Sequence, residues 1–199
     1  MLADHVSVNS TAASESGDAD LVRAAQLGDR GAFGLLYRRY ARMVHGLLLG
    51  RVPQTAAEDL VQDVFLLALA RLGSLRDASR FGGWLAAIAR NRAMDFHRQS
   101  QRAAEFREEA PEQAAENHPA LRGRQAEAVA ILDAICTLPE AYRETLILRL
   151  VEDMTGPEIA ERTGLTHGSV RVNLHRGMQQ LRKILGENGK LRGETGNSG

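Results

Sequence analysis

Thr155-Gly-Pro-Glu158-Ile-Ala-Glu-Arg-Thr-Gly164-Leu-Thr166-His-Gly-Ser-Val-Arg-Val-Asn-Leu-His-Arg176 decides the fold of this chain. Thr155 and Glu158 stand at capping-box spacing, which predicts a short helix to Thr163. Gly164-Leu165-Thr166 makes a tight turn, and Gly164 can take the positive backbone angle that the turn needs. Thr166 can cap a second helix that continues to about Leu185. Ile159 and Ala160 face inward from the first helix, and Val170, Leu174, Leu181 and Leu185 from the second. The small Ala160 lets the two helices approach closely. The pattern is a helix-turn-helix, whose second helix usually enters the major groove of DNA.

The spacing also says what the second helix offers outward. If Val170, Leu174 and Gly177 face the domain, then Gly168, Arg171, Val172, His175 and Arg176 face solvent. Arg can donate two hydrogen bonds to a guanine edge, and Val can touch a thymine methyl. The helix N-terminus, with Ser169, can hold a backbone phosphate.

Working back toward the N-terminus, the periodicity is helical throughout, so the expected class is all-α. A short helix spans Asp20 to Leu27, and Gly28-Asp29 breaks it. Asp29 can cap the next helix, whose Phe33, Leu36, Tyr37, Tyr40, Val44 and Leu47 form one apolar stripe. Thr55 and Glu58 again have capping-box spacing and open a helix to about Leu72. Gly73 to Arg80 reads as a polar loop. A long helix then runs from about Phe81 to Gln99, with Phe81, Trp84, Leu85, Ile88 and Phe96 inward. Ala128, Ile131, Leu132 and Ile135 mark another helix that ends at Leu138-Pro139, and Pro139 opens a further one to about Glu152.

These helices fall into two small domains, residues 19–100 and 125–185. Residues 101–124 contain Pro111 and Pro119 in a Glu-, Gln- and Ala-rich stretch and read as a flexible linker. Residues 1–18 read as a disordered leader and residues 186–199, with five Gly, as a disordered tail.

The formal net charge of zero is a sum over unlike segments. Residues 1–18 carry −3, residues 19–100 carry +5, residues 101–127 carry −2, and residues 128–199 balance. A neutral total therefore does not argue against a nucleic-acid partner. Of the 25 basic residues 23 are Arg, a bias that GC-rich coding explains better than phosphate binding does, although the Arg fork suits phosphates. The single Cys136 excludes an internal disulfide and a zinc site built of cysteines. No run of apolar residues approaches the roughly 20 needed to span a bilayer, and Met1 to Asp18 lack a secretory pattern. The expected location is the cytoplasm. There is no His-Glu-x-x-His, P-loop or dinucleotide fingerprint, and the six His are scattered. No catalytic residue, metal site, cofactor or small-molecule substrate is expected.

Leu138-Pro139-Glu-Ala-Tyr142-Arg143-Glu, Glu158-Ile159-Ala160 and Val170-Arg171 to Leu174-His175-Arg176 resemble the C-terminal domain of extracytoplasmic-function (ECF) sigma factors of the sigma-70 family. The first half agrees independently. Ala57-Glu58-Asp59-Leu60-Val61-Gln62-Asp63-Val64-Phe65 resembles the family's helix that docks on RNA polymerase. Phe81-Gly-Gly-Trp84-Leu85 through Ile88, Ala89, Arg90 and Asn91 to Asp95 and Arg98 resembles its promoter-melting helix. The resemblance covers about residues 19–185.

It implies a factor that binds core RNA polymerase and directs it to specific promoters. Asp59, Gln62, Asp63 and Leu66 share a helix face and would meet the polymerase clamp helices. Arg76, Ser79 and Arg80 in the loop, with Arg90, Asn91 and Arg98 on the helix, would serve the minus-ten element. Asn91 could read a base edge, whereas the Arg residues suit phosphates. Trp84 is spaced for the core rather than for stacking on a base. Gly168, Ser169, Arg171, Val172, His175 and Arg176 would serve the minus thirty-five element. The resemblance also implies an anti-sigma factor as a partner, and a linker that runs near the RNA path or serves as a soluble tether. Pro157, Val172, Asn173 and Gly177 depart from the usual family residues, which leaves the fold unaffected and the upstream sequence open.

Two other classes compete. A polymerase-independent regulator with two helical domains would explain the helix-turn-helix, but not the Asp59–Asp63 face or the Trp84–Asn91 stretch. A small helical enzyme lacks any motif for it.

Overall fold

The computed structural model describes residues 17–105 and 122–194. Most of the expected leader and linker, and residues 195–199, lie outside the described residues. All regular structure within them is helical: α1 (Asp18–Gln26), α2 (Arg30–Leu49), α3 (Gln54–Arg71), α4 (Phe81–Glu105), α5 (Arg122–Cys136), α6 (Glu140–Leu150), α7 (Gly156–Thr163) and α8 (His167–Glu194). Two 3-10 turns, Leu72–Ser74 and Ala78–Arg80, shape the loop between α3 and α4.

Several boundaries differ from the sequence expectation. The α5 helix begins inside the span assigned to the linker, at Arg122. Asp18, placed in the leader, instead begins α1 and anchors it: its carboxylate accepts from Arg39 at 2.6 Å and from the Tyr40 hydroxyl at 2.5 Å. The α4 helix continues beyond Gln99 to Glu105, into the span assigned to the linker. The α8 helix continues through Gly186 and Gly189 to Glu194, so most of the expected tail is helical. A glycine inside a helix costs about 1 kcal/mol relative to Ala, which one long helix can absorb without ending.

Side-chain caps explain some of the starts. Asp29 accepts from the Gly31 and Ala32 amides at 2.8 and 3.1 Å, opening α2. Thr155 and Glu158 form the reciprocal capping box expected for α7. The Thr55–Glu58 box does not form. Pro53, with φ −55°, serves as the N-cap of α3 without a side-chain bond, and its carbonyl accepts from Ala56 at 2.9 Å. Helical geometry thus begins before Thr55 could act as a cap.

In the N-terminal half α2 lies against α1, α3 and α4. Leu36, Tyr40, Met43, Val44 and Leu47 form its fully buried stripe. Phe81 and Trp84 from α4 extend that core; the Tyr40 and Phe81 rings meet edge to face at 5.1 Å, and Trp84 packs on Phe81 at 5.9 Å. In the C-terminal half α6 lies across α8, with α5 and α7 alongside. Gly177 makes this possible, since a Cβ there would lie 3.0 Å from a methyl of Leu146.

The two halves do not stand apart. Near the end of α2 burial stops being a stripe: Gly46, Leu47, Leu48, Leu49 and Gly50 are all buried. In α6 the same holds for Glu144, Thr145, Leu146, Ile147 and Leu148. Five consecutive residues sweep more than a full turn of helix. Hence α6 has neighbours on all sides, α8 on one and α2 on another. A Cβ on Gly46 would come within 2.8 Å of Leu148 and 2.9 Å of Glu152, so glycine permits this crossing. Arg143 donates to the Gly50 carbonyl at 2.9 Å. Each apolar side chain buried in this way contributes about 1.5–3 kcal/mol.

Candidate nucleic-acid interface

The α7–α8 hairpin sets the first candidate surface. Gly164, with φ 75°, turns the chain, and its amide donates to the Ala160 carbonyl at 3.0 Å. The Thr166 hydroxyl accepts from the Ser169 amide at 3.1 Å and pairs with the Ser169 hydroxyl at 2.8 Å, closing the first turn of α8. Val170, Gly177 and Leu181 are buried. Gly168, Ser169, Arg171, Val172, His175 and Arg176 are exposed, and the last four line one open depression. Two guanidiniums, an imidazole and a branched apolar side chain thus share a single face. That set offers forked donors for base edges or phosphates and an apolar contact for a methyl group.

A second surface lies on α3. Asp59, Gln62, Asp63 and Leu66 are all exposed on successive turns. Leu66 is 68% exposed, and Leu69, one turn further on, is 48% exposed. Leu69 belongs to this patch although the carboxylate pattern does not point to it. Asp63 accepts an ion pair from Arg92 of α4, so one of the two acids is already held in place. Acid groups around protruding leucines suit a basic, partly apolar helical partner.

The third set splits. Arg76, Ser79 and Arg80 are exposed on the turn before α4. Asp77 organises that turn by accepting from the Ser79 hydroxyl at 2.6 Å, the Ser79 amide at 3.0 Å and Arg80 at 3.2 Å. The Ser79 hydrogen bonds, with help from Arg80, hold the Asp77 carboxyl below its ordinary range. Asn91 and Arg98 are exposed seven residues apart on α4, and Arg98 pairs with Asp95. Met94 stands between them, 51% exposed, and offers an apolar surface on a polar face.

Arg90 does not join this face. Its guanidinium donates from Nε and Nη2 to the two oxygens of Glu144 in α6, at 2.8 and 2.9 Å. Arg51, in the loop after α2, also binds Glu144 and reaches Glu140. Burial pushes the Glu144 carboxyl up, but the Arg90 hydrogen bonds and the two positive charges outweigh it and hold it below its ordinary range. A second link between the halves joins His45 Nδ1 to Glu152 at 2.6 Å, with Arg42 3.9 Å from the other oxygen. The hydrogen bond to Glu152 raises the His45 pKa against the opposing effect of burial. These acid–base pairs escape sequence reading because their partners lie 54 and 107 positions apart. Among the described residues no group of His, Cys, Asp and Glu could hold a metal ion.

The two helical groups coincide with two family segments. The profile described as Sigma-70 region 2 matches residues 36–103, and that described as Sigma-70, region 4 matches residues 128–181. The RNA polymerase sigma factor CarQ of Myxococcus xanthus is 36% identical over 167 residues, covering 80% of this chain and 92% of that protein. The ECF RNA polymerase sigma factor SigM of Mycobacterium tuberculosis is 33% identical, covering 86% of each. Among solved structures, CnrH in complex with the cytosolic domain of CnrY superimposes with a TM-score of 0.57. That match has 26% identity and covers 85% of this chain and 97% of the other. This two-part helical chain belongs to the sigma-70 family of RNA polymerase factors. Within that family it falls in the extracytoplasmic-function group.

Proposed function

We propose that the chain performs the family's task through three separate surfaces. The Asp59, Gln62, Asp63, Leu66 face of α3, enlarged by Leu69, docks on the clamp helices of core RNA polymerase. Arg171, Val172, His175 and Arg176, with Gly168 and Ser169 at the helix start, read the minus thirty-five element. Arg76, Ser79, Arg80, Asn91 and Arg98 hold the minus-ten strand as it leaves the duplex, with Met94 as the apolar surface beside it. The chain supplies positions and charges and leaves bond formation to polymerase, so no cofactor enters the account. Its place of action is the cytoplasm; among the described residues no helix is long and apolar enough to cross a membrane.

The observation that carries this reading is the pair of protruding leucines on an acidic helix face in the same chain as an exposed Arg-rich recognition helix. A lone DNA-binding regulator needs only the second. CnrH is seen with the cytosolic domain of a second protein. A comparable anti-sigma partner for this chain belongs to the proposal.

The test is direct. Purified chain is mixed with bacterial core polymerase, and the complex is followed by size exclusion and by transcription from promoter-bearing DNA. Stable co-elution and promoter-dependent transcripts are expected. A chain that never co-elutes with core polymerase would sink the proposal.

A further inference from the structure

Arg51 and Arg90 come from separate elements, yet both reach the carboxylate of Glu144. Both belong to the N-terminal half. Arg51 donates from Nη1 to the Leu47 carbonyl at 3.0 Å, while its own carbonyl pairs with His97 of α4 at 2.5 Å. Arg90 projects from the middle of α4, one residue before Asn91. Arg51 is thus held by its own domain, whereas the bonds of the Arg90 guanidinium go to Glu144. The anion between them comes from the other domain, with a side chain only 7% accessible. Glu144 thus sits where two cations of one half meet a single anion of the other. Guanidinium pairs of this kind accept carboxylate or phosphate through the same fork of donors.

We propose that Arg51 and Arg90 form a site for a backbone phosphate of promoter DNA, and that Glu144 occupies this site in the free chain as an internal substitute for the phosphate. The proposal rests on the reading of α4 as the minus-ten helix. DNA is the anion favoured here because the site shares α4 with exposed Asn91 and Arg98. The free chain is then closed against DNA by its own recognition domain, and the site becomes available only when the halves separate. An occupied site and a neutral total charge together predict weak DNA binding by the free chain.

The test uses the full chain without polymerase and a fluorescein-labelled single-stranded DNA of mixed sequence. Glu144→Gln should bind it roughly tenfold tighter than the parent chain, a gain in line with release of charge-assisted bonds. Glu161→Gln changes the total charge equally on an exposed site and should leave binding unchanged. Gly46→Leu separates the halves by bulk and leaves every charge in place. It should expand the chain in X-ray scattering and raise DNA affinity as Glu144→Gln does. Adding Arg51→Gln to Glu144→Gln should reverse the gain and lower the log–log salt slope by about 0.7, the value for one phosphate on a single strand.

An expanded Gly46→Leu chain that binds DNA no better than its parent overturns the site. So does an equal gain from Glu161→Gln, or a gain that survives Arg51→Gln. Failure of both Glu144→Gln and Gly46→Leu to raise affinity does the same. Transcription by the parent chain with core polymerase is measured in parallel. Loss of that activity would count against the sigma-factor reading, whereas activity with no Arg51 effect counts against this site alone.

Discussion

A side chain on Gly82 would place its Cβ 2.2 Å from the carbonyl oxygen of Arg162. Gly82 opens α4 in one half and Arg162 lies in α7 of the other, so glycine here is a condition for the two to touch. The Arg162 guanidinium completes the contact 5.2 Å above the Tyr40 ring. The opposing atom is backbone and cannot rotate away. Gly82→Ala should therefore displace α7 from α4, weakening the closed arrangement by about 1–3 kcal/mol as overpacking does. Scattering should report a larger radius of gyration with unchanged helix content by circular dichroism. An unchanged radius would show that the junction yields without opening.

Leu66 tests the polymerase face with little interference from folding. Its side chain is mostly in water, so Leu66→Ala should change stability by less than about 0.5 kcal/mol. A central apolar anchor of an interface typically loses more than about 1 kcal/mol on truncation. Affinity for core polymerase should fall accordingly in a fluorescence titration. Asp63→Arg should abolish binding, since it reverses a charge on that face and also opposes Arg92. Normal binding by both variants would remove α3 from the interface.

Arg176 separates base reading from phosphate holding. If its fork meets a guanine edge, Arg176→Ala should cost about 1–3 kcal/mol on the cognate upstream element and less on variants of it. A uniform loss across sequences, with a shallower salt dependence, would assign Arg176 to the backbone. Binding of the polymerase complex to a panel of single-base variants measures the difference.

The His45–Glu152 pair gives the contact between halves a pH dependence of definite sign. Arg42 approaches the same Glu152 carboxylate, and Glu58 adds to the raising influence of Glu152 on His45. Because the folded pKa is raised, the stabilisation is fully present below the ordinary value of about 6.5 and is lost as pH rises through the raised one. Glu144 acts oppositely: its lowered carboxyl stabilises above the ordinary carboxylate range, and that is lost as pH falls through the folded value. Thermal stability should decline as pH rises above about 6.5 and again in acid. His45→Gln should flatten the high-pH limb alone. A limb unchanged in that variant would assign it to another group.

The parts of this fold legible in the sequence are those with local causes. The Asp29 and Thr155 caps and the Gly164 turn each involve residues within a few positions of one another. The outward set on α8 followed from counting in steps of three and four, and Trp84 was placed in the core by the same count. The Thr55–Glu58 box misled because Pro53 starts α3 sooner. What stayed hidden was the junction between halves. Gly46, Gly50 and Gly82 read as ordinary small residues until a second helix is brought against them. Arg90 shows the consequence for the candidate site: spacing put it with Asn91 and Arg98, while a carboxylate from α6 turns it elsewhere.

The five consecutive buried residues of α6 also govern how its backbone exchanges hydrogen with solvent. Amides in a helix exchange when the helix opens locally, and opening is rarest where packing surrounds it. With α8 on one side and α2 on the other, the amides from Glu144 to Leu148 should be among the slowest in the chain. Separation of the halves strips away one of those walls and leaves the other. Deuterium uptake at these five positions is therefore a clock for domain opening, readable in the native protein without a label or a substitution.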